Sequence, residues 1–238
     1  MSAQADLWEV IRGLWAGDHG RVAQVLPRDA PSLAAFLPSL KAFIDETPRR
    51  REGRIDEAAV VRGDIVSMGP GCVIEAGAVV HESCRLVIGA RCRVRAGVLL
   101  RDEVVIGDDC LIGAHCEVTR SLLLGPETNL GHHNVVGDSI VGGHVNISGN
   151  VYFANNTLEP RGFVRMKIGG ERIDSGRTHF GALVGNGVRF GGSTTLCPGC
   201  IVQPGLHLPP GVVLYGMIDE TRRKALLRHF FATWDTNE

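Results

Sequence analysis

Histidine titrates near neutral pH and is the side chain best suited to take a proton from an attacking nucleophile, so the placement of the nine histidines is the first chemical question. Four of them cluster mid-chain: His115, His132, His133 and His144. Each follows an apolar residue by two or three positions, in slots expected to face outward, which makes them candidates for a general base. His115 falls beneath His133 if one turn of the fold takes about eighteen residues. That stacking invites a zinc reading, but His144 falls on another face and no metal is expected. Cys197-Pro-Gly-Cys200 has the spacing of a zinc or redox pair. It stands alone, and Cys200 occupies an inward slot, so its expected role is packing.

The elements that must position these residues follow from a repeat. Glycine is abundant, 31 of 238 residues, about twice ordinary usage. From Ile55 an apolar residue recurs about every six positions through Val61, Met68, Ile74, Val80, Ile88, Val94, Leu100, Ile106, Ile112, Val118, Leu124, Leu130, Val136, Val141 and Ile147. The register resumes at Val184, Phe190, Leu196, Val202 and Leu208. Four positions after many of these sits a small or β-branched residue, among them Ala78, Cys84, Cys92, Val98, Cys110 and Cys116. A hexapeptide pattern of this kind specifies a parallel β-helix, an all-β solenoid in which three hexapeptides close one triangular coil. The count of repeats implies roughly seven coils.

The flanks do not repeat. Residues 1–52 hold two helical patterns, Leu7, Val10, Ile11, Leu14, Trp15 and Leu33, Phe36, Leu37, Leu40, Phe43, the second with Ser32 as candidate cap. They are expected to form a helical subdomain. Arg49, Arg50, Arg51 and Arg54 read as a solvated hinge before the solenoid of residues 53–216. Residues 217–238 carry Leu226, Leu227, Phe230, Phe231 and Trp234 on a helix expected to cover the open last coil. The repeat fails between Phe153 and Phe180, and this polar, glycine-rich stretch predicts a protruding loop over 153–181 with the functional site beside it.

The stretch GHHNVVGDSIVGGHVNIS, Gly131 to Ser148, resembles the acetyltransferase core of the bifunctional sugar-1-phosphate acetyltransferase/nucleotidyltransferases, including a shortened five-residue step between Val136 and Val141. ERIDSGRTHFGALVGNGVRFGG, Glu171 to Gly192, is similar to the archaeal branch of that family, and VIGDDCLIGAHCEV, Val105 to Val118, is similar as well. The resemblance spans roughly Ile88 to Gly211 and implies a left-handed β-helix.

Carried over by position, the resemblance makes His132 the general base that deprotonates an attacking amine and Asn155 a second catalytic residue that orients it. Arg101, Arg120, Asn146 and Lys167 are implied as substrate-binding residues, the cations meeting a phosphate, with Arg165 a further candidate. Gly149, Gly192 and Pro210 match positions that flank acetyl-CoA, and a backbone N–H near Gly149 is implied as a donor to the oxyanion. Three features depart from the family: Val135 replaces its tyrosine, its Gly-Ala-Gly-Thr turn reads Ser148-Gly149-Asn150-Val151, and its Asn-Leu-Arg reads Asn155-Asn156-Thr157.

The implied activity is transfer of acetyl from acetyl-CoA to the amine of an amino-sugar phosphate, glucosamine-1-phosphate-like, or of a nucleotide amino sugar. A homotrimer with sites shared between subunits is implied. The competing reading is a non-catalytic trimeric scaffold that binds a sugar nucleotide or partners a separate nucleotidyltransferase. Uridylyl transfer by this chain is not expected, for want of a glycine-rich nucleotide loop and of room in residues 1–52. With 25 Lys and Arg against 26 Asp and Glu, no nucleic acid partner is expected. No membrane span or signal peptide is visible, and seven cysteines without a secretion signal point to a cytoplasmic, reducing setting.

Overall fold

In a computed structural model the backbone is described for residues 9, 11–17, 20–27, 33–157, 162–168 and 171–235. The repeat winds as a left-handed parallel β-helix. Its three faces differ in what they show the outside. A polar face stacks eight short strands, from Arg54–Ile55 at one end to His207–Leu208 at the other. An open face runs from Val60–Val61 through Leu99–Leu100 and Tyr152–Phe153 to Val213–Leu214. A covered face runs from Asp64–Met68 to Met217–Ile218.

The strands are short because each hexapeptide ends at a corner, and a corner requires a left-handed residue. Gly77, Gly97, His115, His133, Asn150 and Ser193 all have positive φ, at successive coils of one edge. A glycine takes this conformation freely, whereas His115 and His133 hold it against a steric cost. Gly97 is fixed for a second reason: a Cβ there would lie 2.3 Å from Nδ1 of His115.

Inside the prism one apolar residue per strand is fully buried, including Met68, Ile74, Val80, Val94, Leu100, Ile112, Val118, Leu130 and Val136. Leu124 is an exception to the expected register. Leu123 points into the prism and Leu124 packs outside it. The cause is a shortened corner: Thr119 pairs with Arg101 but Ser121 already pairs with Val104, so the coil loses a residue at Arg120.

Cys72, Cys84, Cys92, Cys110, Cys116 and Cys200 are buried as expected, and Cys197 is partly buried. Burial pushes the Cys84 thiol up to about 12 and raises those of Cys116 and Cys200. The thiolate is the reactive form. Cys197 alone is therefore expected to react with Ellman's reagent in the folded protein, the other six only after unfolding in guanidinium. Fast labelling of several thiols in native buffer would contradict this packing.

The N-terminal subdomain lies on the covered face. That face turns Val66, Val87, Val105, Leu122, Ile140, Leu183 and Ile201 outward, and they are buried against Ile11, Leu14, Trp15, Leu33 and α1 (Phe36–Glu46). Each such buried aliphatic side chain contributes about 1.5–3 kcal/mol. Trp15 donates its indole N–H to the carbonyl of Val184 at 2.8 Å, which fixes the subdomain to the strand Ala182–Val184. Leu7, Val10 and Ser32 lie outside the described residues.

Three details differ from expectation. Arg50–Arg51 is not a hinge but pairs with Ser67–Met68, and Arg49 binds Asp64 through two hydrogen bonds of 2.9 and 2.8 Å, so the basic run begins the solenoid. The polar face then counts eight strands where the repeats implied roughly seven coils. The segment after Phe153 leaves the coil but lies back along it. Its antiparallel hairpin (Arg165–Ile168 with Glu171–Asp174) is amphipathic, and Val164, Met166 and Phe180 are buried with the subdomain. Composition hid this because the segment's inner side is made by only a few apolar residues, Val164, Met166 and Phe180, spread among polar ones.

The C-terminal helix α2 (Glu220–Asp235) rests Leu226 on the end of the prism core and leaves Phe231 57% exposed. The side chain of Trp234 lies outside the described residues. Among the described residues no helix is long and apolar enough to cross a membrane.

Candidate functional site

His132 stands on the edge between the polar and open faces. Registers of the polar-face strands place Ala76, Ala96, Ala114, His132, Gly149, Gly192 and Pro210 at equivalent corners of successive coils. The backbone closes each corner, with the N–H of Asn150 on the carbonyl of His132 at 3.0 Å, that of Ser193 on Gly149 at 3.0 Å and that of Gly211 on Gly192 at 2.9 Å. Between His132 and Pro210 the first corner position is glycine, at Gly149 and Gly192, which leaves a shallow track along the solenoid beside Asn150 and Ser193. Below His132 a cleft of about 380 Å³ is lined by Leu111, Gly113, Ala114 and Leu130, with Glu75 and Arg95 at its far end.

The His132 ring is exposed and makes no hydrogen bond to a described residue. Its neighbour His133 instead stacks on His115, ring centroids 5.2 Å apart and nearly parallel. His144 is exposed and meets Glu127 at 3.2 Å. Among the described residues no three His, Cys, Asp or Glu side chains form a group able to hold a metal.

The opposite edge of the open face carries a polar cluster. Successive corners there are Arg101-Asp102, Thr119-Arg120, Gly137-Asp138 and Ala154-Asn155. Asp138 is fully buried, and its two carboxylate oxygens accept four hydrogen bonds: Arg120 Nε at 2.8 Å and Nη2 at 2.9 Å, Arg177 Nη2 at 3.2 Å and Asn155 Nδ2 at 2.7 Å. Arg120 spends its remaining nitrogen on Asp102 at 2.6 Å. The hydrogen bond to Asp138 raises the Arg120 pKa against the opposing effect of burial. The carboxyl of Asp102 sits below its usual range: burial opposes its charge, but Ser83, Thr119, Arg120 and Arg101 together favour it.

This geometry sorts the residues singled out from sequence. Asn155 is held by its amide nitrogen, which leaves Oδ1 to accept a hydrogen bond from an amine. Arg101 is partly exposed and donates from Nε to Glu117 at 2.9 Å. Arg120 is saturated by two carboxylates, so it positions Asp138 rather than offering a free guanidinium. Asn146 lies on the polar face between Asn129 and Arg189, on the strand that leads to Gly149. Lys167 is exposed on the hairpin beside Gly216 of the last coil, five coils above Arg101. At about 4.8 Å per coil that is on the order of 20 Å, so Lys167 does not join Arg101 within one chain.

Asp138 and Arg177 were not picked out from sequence. The signal was present, since Asp138 follows Arg120 by one coil and Arg177 lies in a recognisable Ser-Gly-Arg segment. Only the structure shows that the two meet.

Comparison with known proteins agrees with this architecture. A model of the bacterial transferase hexapeptide (six repeats) matches residues 85–120. A bifunctional sugar-1-phosphate nucleotidylyltransferase/acetyltransferase of Sulfurisphaera tokodaii is 34% identical over 83 residues, 35% of this chain and 20% of that protein, so the match spans about a fifth of its length. Among solved structures, a polysialic acid O-acetyltransferase is similar over 73% of this chain and 80% of its own, at 16% identity and a TM-score of 0.44. An N-acyltransferase from Bacillus cereus, solved with dTDP and coenzyme A, covers 70% of this chain and 74% of its own at 15% identity and a TM-score of 0.31. The chain is thus a hexapeptide-repeat left-handed β-helix, similar in its repeats to the acetyltransferase family named from its motifs.

Proposed function

We propose that the protein is an acetyl-CoA-dependent N-acetyltransferase acting on an amino-sugar phosphate or nucleotide amino sugar, with each site built from two copies of the chain. The observation that carries this reading is the open face. Its outward side chains include Val60, Tyr152 and Val213, respectively 41%, 47% and 59% exposed, with Val79, Leu99 and Val135 half-buried between them. The covered face hides a wholly aliphatic row under the chain's own helices. Among the described residues nothing covers the open face, and its row of exposed apolar side chains, interrupted by Glu117 and Thr195, is the kind of surface that marks an interface.

His132 and Asn155 lie on opposite edges of that face, at similar heights. If three copies turn their open faces to a common axis, the His132 edge of each adjoins the Arg101-Asn155 edge of the next. One chain then supplies His132, Asn146 and the track of Gly149, Gly192 and Pro210. Its neighbour supplies Asn155 and Arg101.

In the reaction the amine nitrogen attacks the thioester carbon while His132 takes its proton. Asn155 Oδ1 holds the second N–H, and a backbone N–H near Gly149 meets the oxyanion. Collapse breaks the C–S bond, and the proton on His132 passes to the departing sulfur. The pantetheine arm runs along the track over Gly149 and Gly192, where a larger residue at either position obstructs it.

The test is thiol release from acetyl-CoA with glucosamine-1-phosphate and a panel of amino-sugar phosphates and nucleotide amino sugars. Turnover with at least one acceptor is expected, lost by about 10²–10⁴-fold in His132→Ala with the trimer intact. No turnover with any acceptor favours a non-catalytic scaffold.

A further inference from the structure

A second cleft, of about 560 Å³, opens on the covered-face side of the Asp138 edge, across that edge from the open face. Three separate parts of the chain make it: Leu37 and Pro38 of α1, Arg120 and Asp138 of the prism corner, and Phe163 with Arg177, Thr178 and His179 from the excursion. Its size falls within the usual range for small-molecule sites.

Its floor is cationic in an unusual way. Arg177 is only 11% exposed, and Asp138, the carboxylate it meets, is already shared with Arg120. Arg177 gives Nη2 to Asp138 at 3.2 Å and Nε to the carbonyl of His179 at 3.1 Å, and Nη1 has no partner among the described residues. Burial lowers its pKa, Arg120 adds to that effect, and Asp138 offsets only part of it. A second negative charge placed here relieves a cation that the protein itself leaves incompletely compensated. On the rim Thr178 and His179 share a hydrogen bond of 3.1 Å, an exposed pair able to donate to anionic oxygens. The wall is of another character: Phe163 is half exposed beside Leu37 and Pro38, a flat apolar surface that no other described residue covers.

A guanidinium and donors at one end, with an open aromatic wall at the other, match a phosphate carried on a flat ring system. We propose that this cleft binds a nucleoside monophosphate or the nucleotide end of a larger molecule, its phosphate on Arg177 and the Thr178-His179 rim and its base against Phe163. The cleft shares Asp138 with Asn155 but opens on the other side of that edge, and binding there needs no acyl transfer.

Isothermal titration in the absence of acetyl-CoA tests this with uridine and adenosine 5′-monophosphate, and with uridine and inorganic phosphate as half-ligands. At least one nucleotide is expected to bind saturably and about tenfold or more tighter than either half. Arg177→Gln should weaken it by about 10–100-fold, the loss of one charge-assisted contact. Phe163→Ala should weaken it several-fold, and because that ring is already half in solvent the variant should melt like the native chain. Should Arg177→Gln fail to fold, Phe163→Ala decides. The proposal is overturned if neither nucleotide binds, if binding survives the substitutions, or if inorganic phosphate binds as tightly as the nucleotides. Because no acyl donor is present, these outcomes are independent of whether acetyl transfer is found.

Discussion

Mixed trimers of His132→Ala and Asn155→Ala chains, each inactive alone, are expected to regain about one quarter of native turnover at equal proportions. The figure follows from the two edges of the open face. A composite site works only when the chain supplying the His132 edge carries the Asn155 substitution and the chain supplying the Asn155 edge carries the His132 substitution. Random assembly gives that pairing with a probability of about one half times one half. The chains are refolded together with distinct tags and thiol release is measured on the whole mixture; heterotrimers isolated from it carry one complete site of three and are expected to reach about one third of native turnover. Absence of recovery in verified heterotrimers would place both residues in one chain's site and remove the argument from the open face. His132→Ala is the safer partner, since its ring is exposed and unbonded. Asn155→Ala loses one hydrogen bond to Asp138, and its melting temperature must be checked beside its activity.

The solenoid was legible in the sequence because its signal is periodic and redundant. Ile74, Val94, Ile112, Leu130 and Ile147 repeat one environment, so no single position has to be read correctly. Where the period shortens by one residue, as at Arg120, a six-residue count points Leu124 inward, whereas the structure buries Leu123 in the prism. The same registers stack His132, Gly149, Gly192 and Pro210 on one edge, residues that the sequence named separately, the last three through the resemblance alone. The Asp138 cluster was not legible, because it depends on Arg177, which returns from outside the repeat. No periodicity reports where an excursion lands. The inward fold of the hairpin around Val164 and Met166 escaped notice for the same reason: it depends on the N-terminal helices against which these residues pack.

Removal of the buried carboxylate in Asp138→Ala is expected to destabilise the protein by about 3–5 kcal/mol, the cost of leaving buried charges without their partner. For a chain of this length that corresponds to a fall of roughly 10 °C in melting temperature. Arg120 keeps Asp102 and can turn toward solvent, but Arg177 loses the one carboxylate it meets among the described residues while remaining nearly buried. Asp138→Asn retains the shape and one acceptor oxygen, and its loss should be smaller. The double variant Asp138→Ala/Arg177→Met separates the causes. If the uncompensated guanidinium dominates, replacing it with an apolar chain of similar length recovers much of the stability, because the pair as a whole contributes less than the penalty for breaking it. If instead Asp138 acts chiefly by bracing the corner of the coil, the double variant melts no higher than Asp138→Ala. Either result is read against Asn155, whose amide is turned by the same carboxylate. In the first case transfer should stay impaired in the stabilised double variant, since Asn155 still lacks the acceptor that holds its Oδ1 toward the amine.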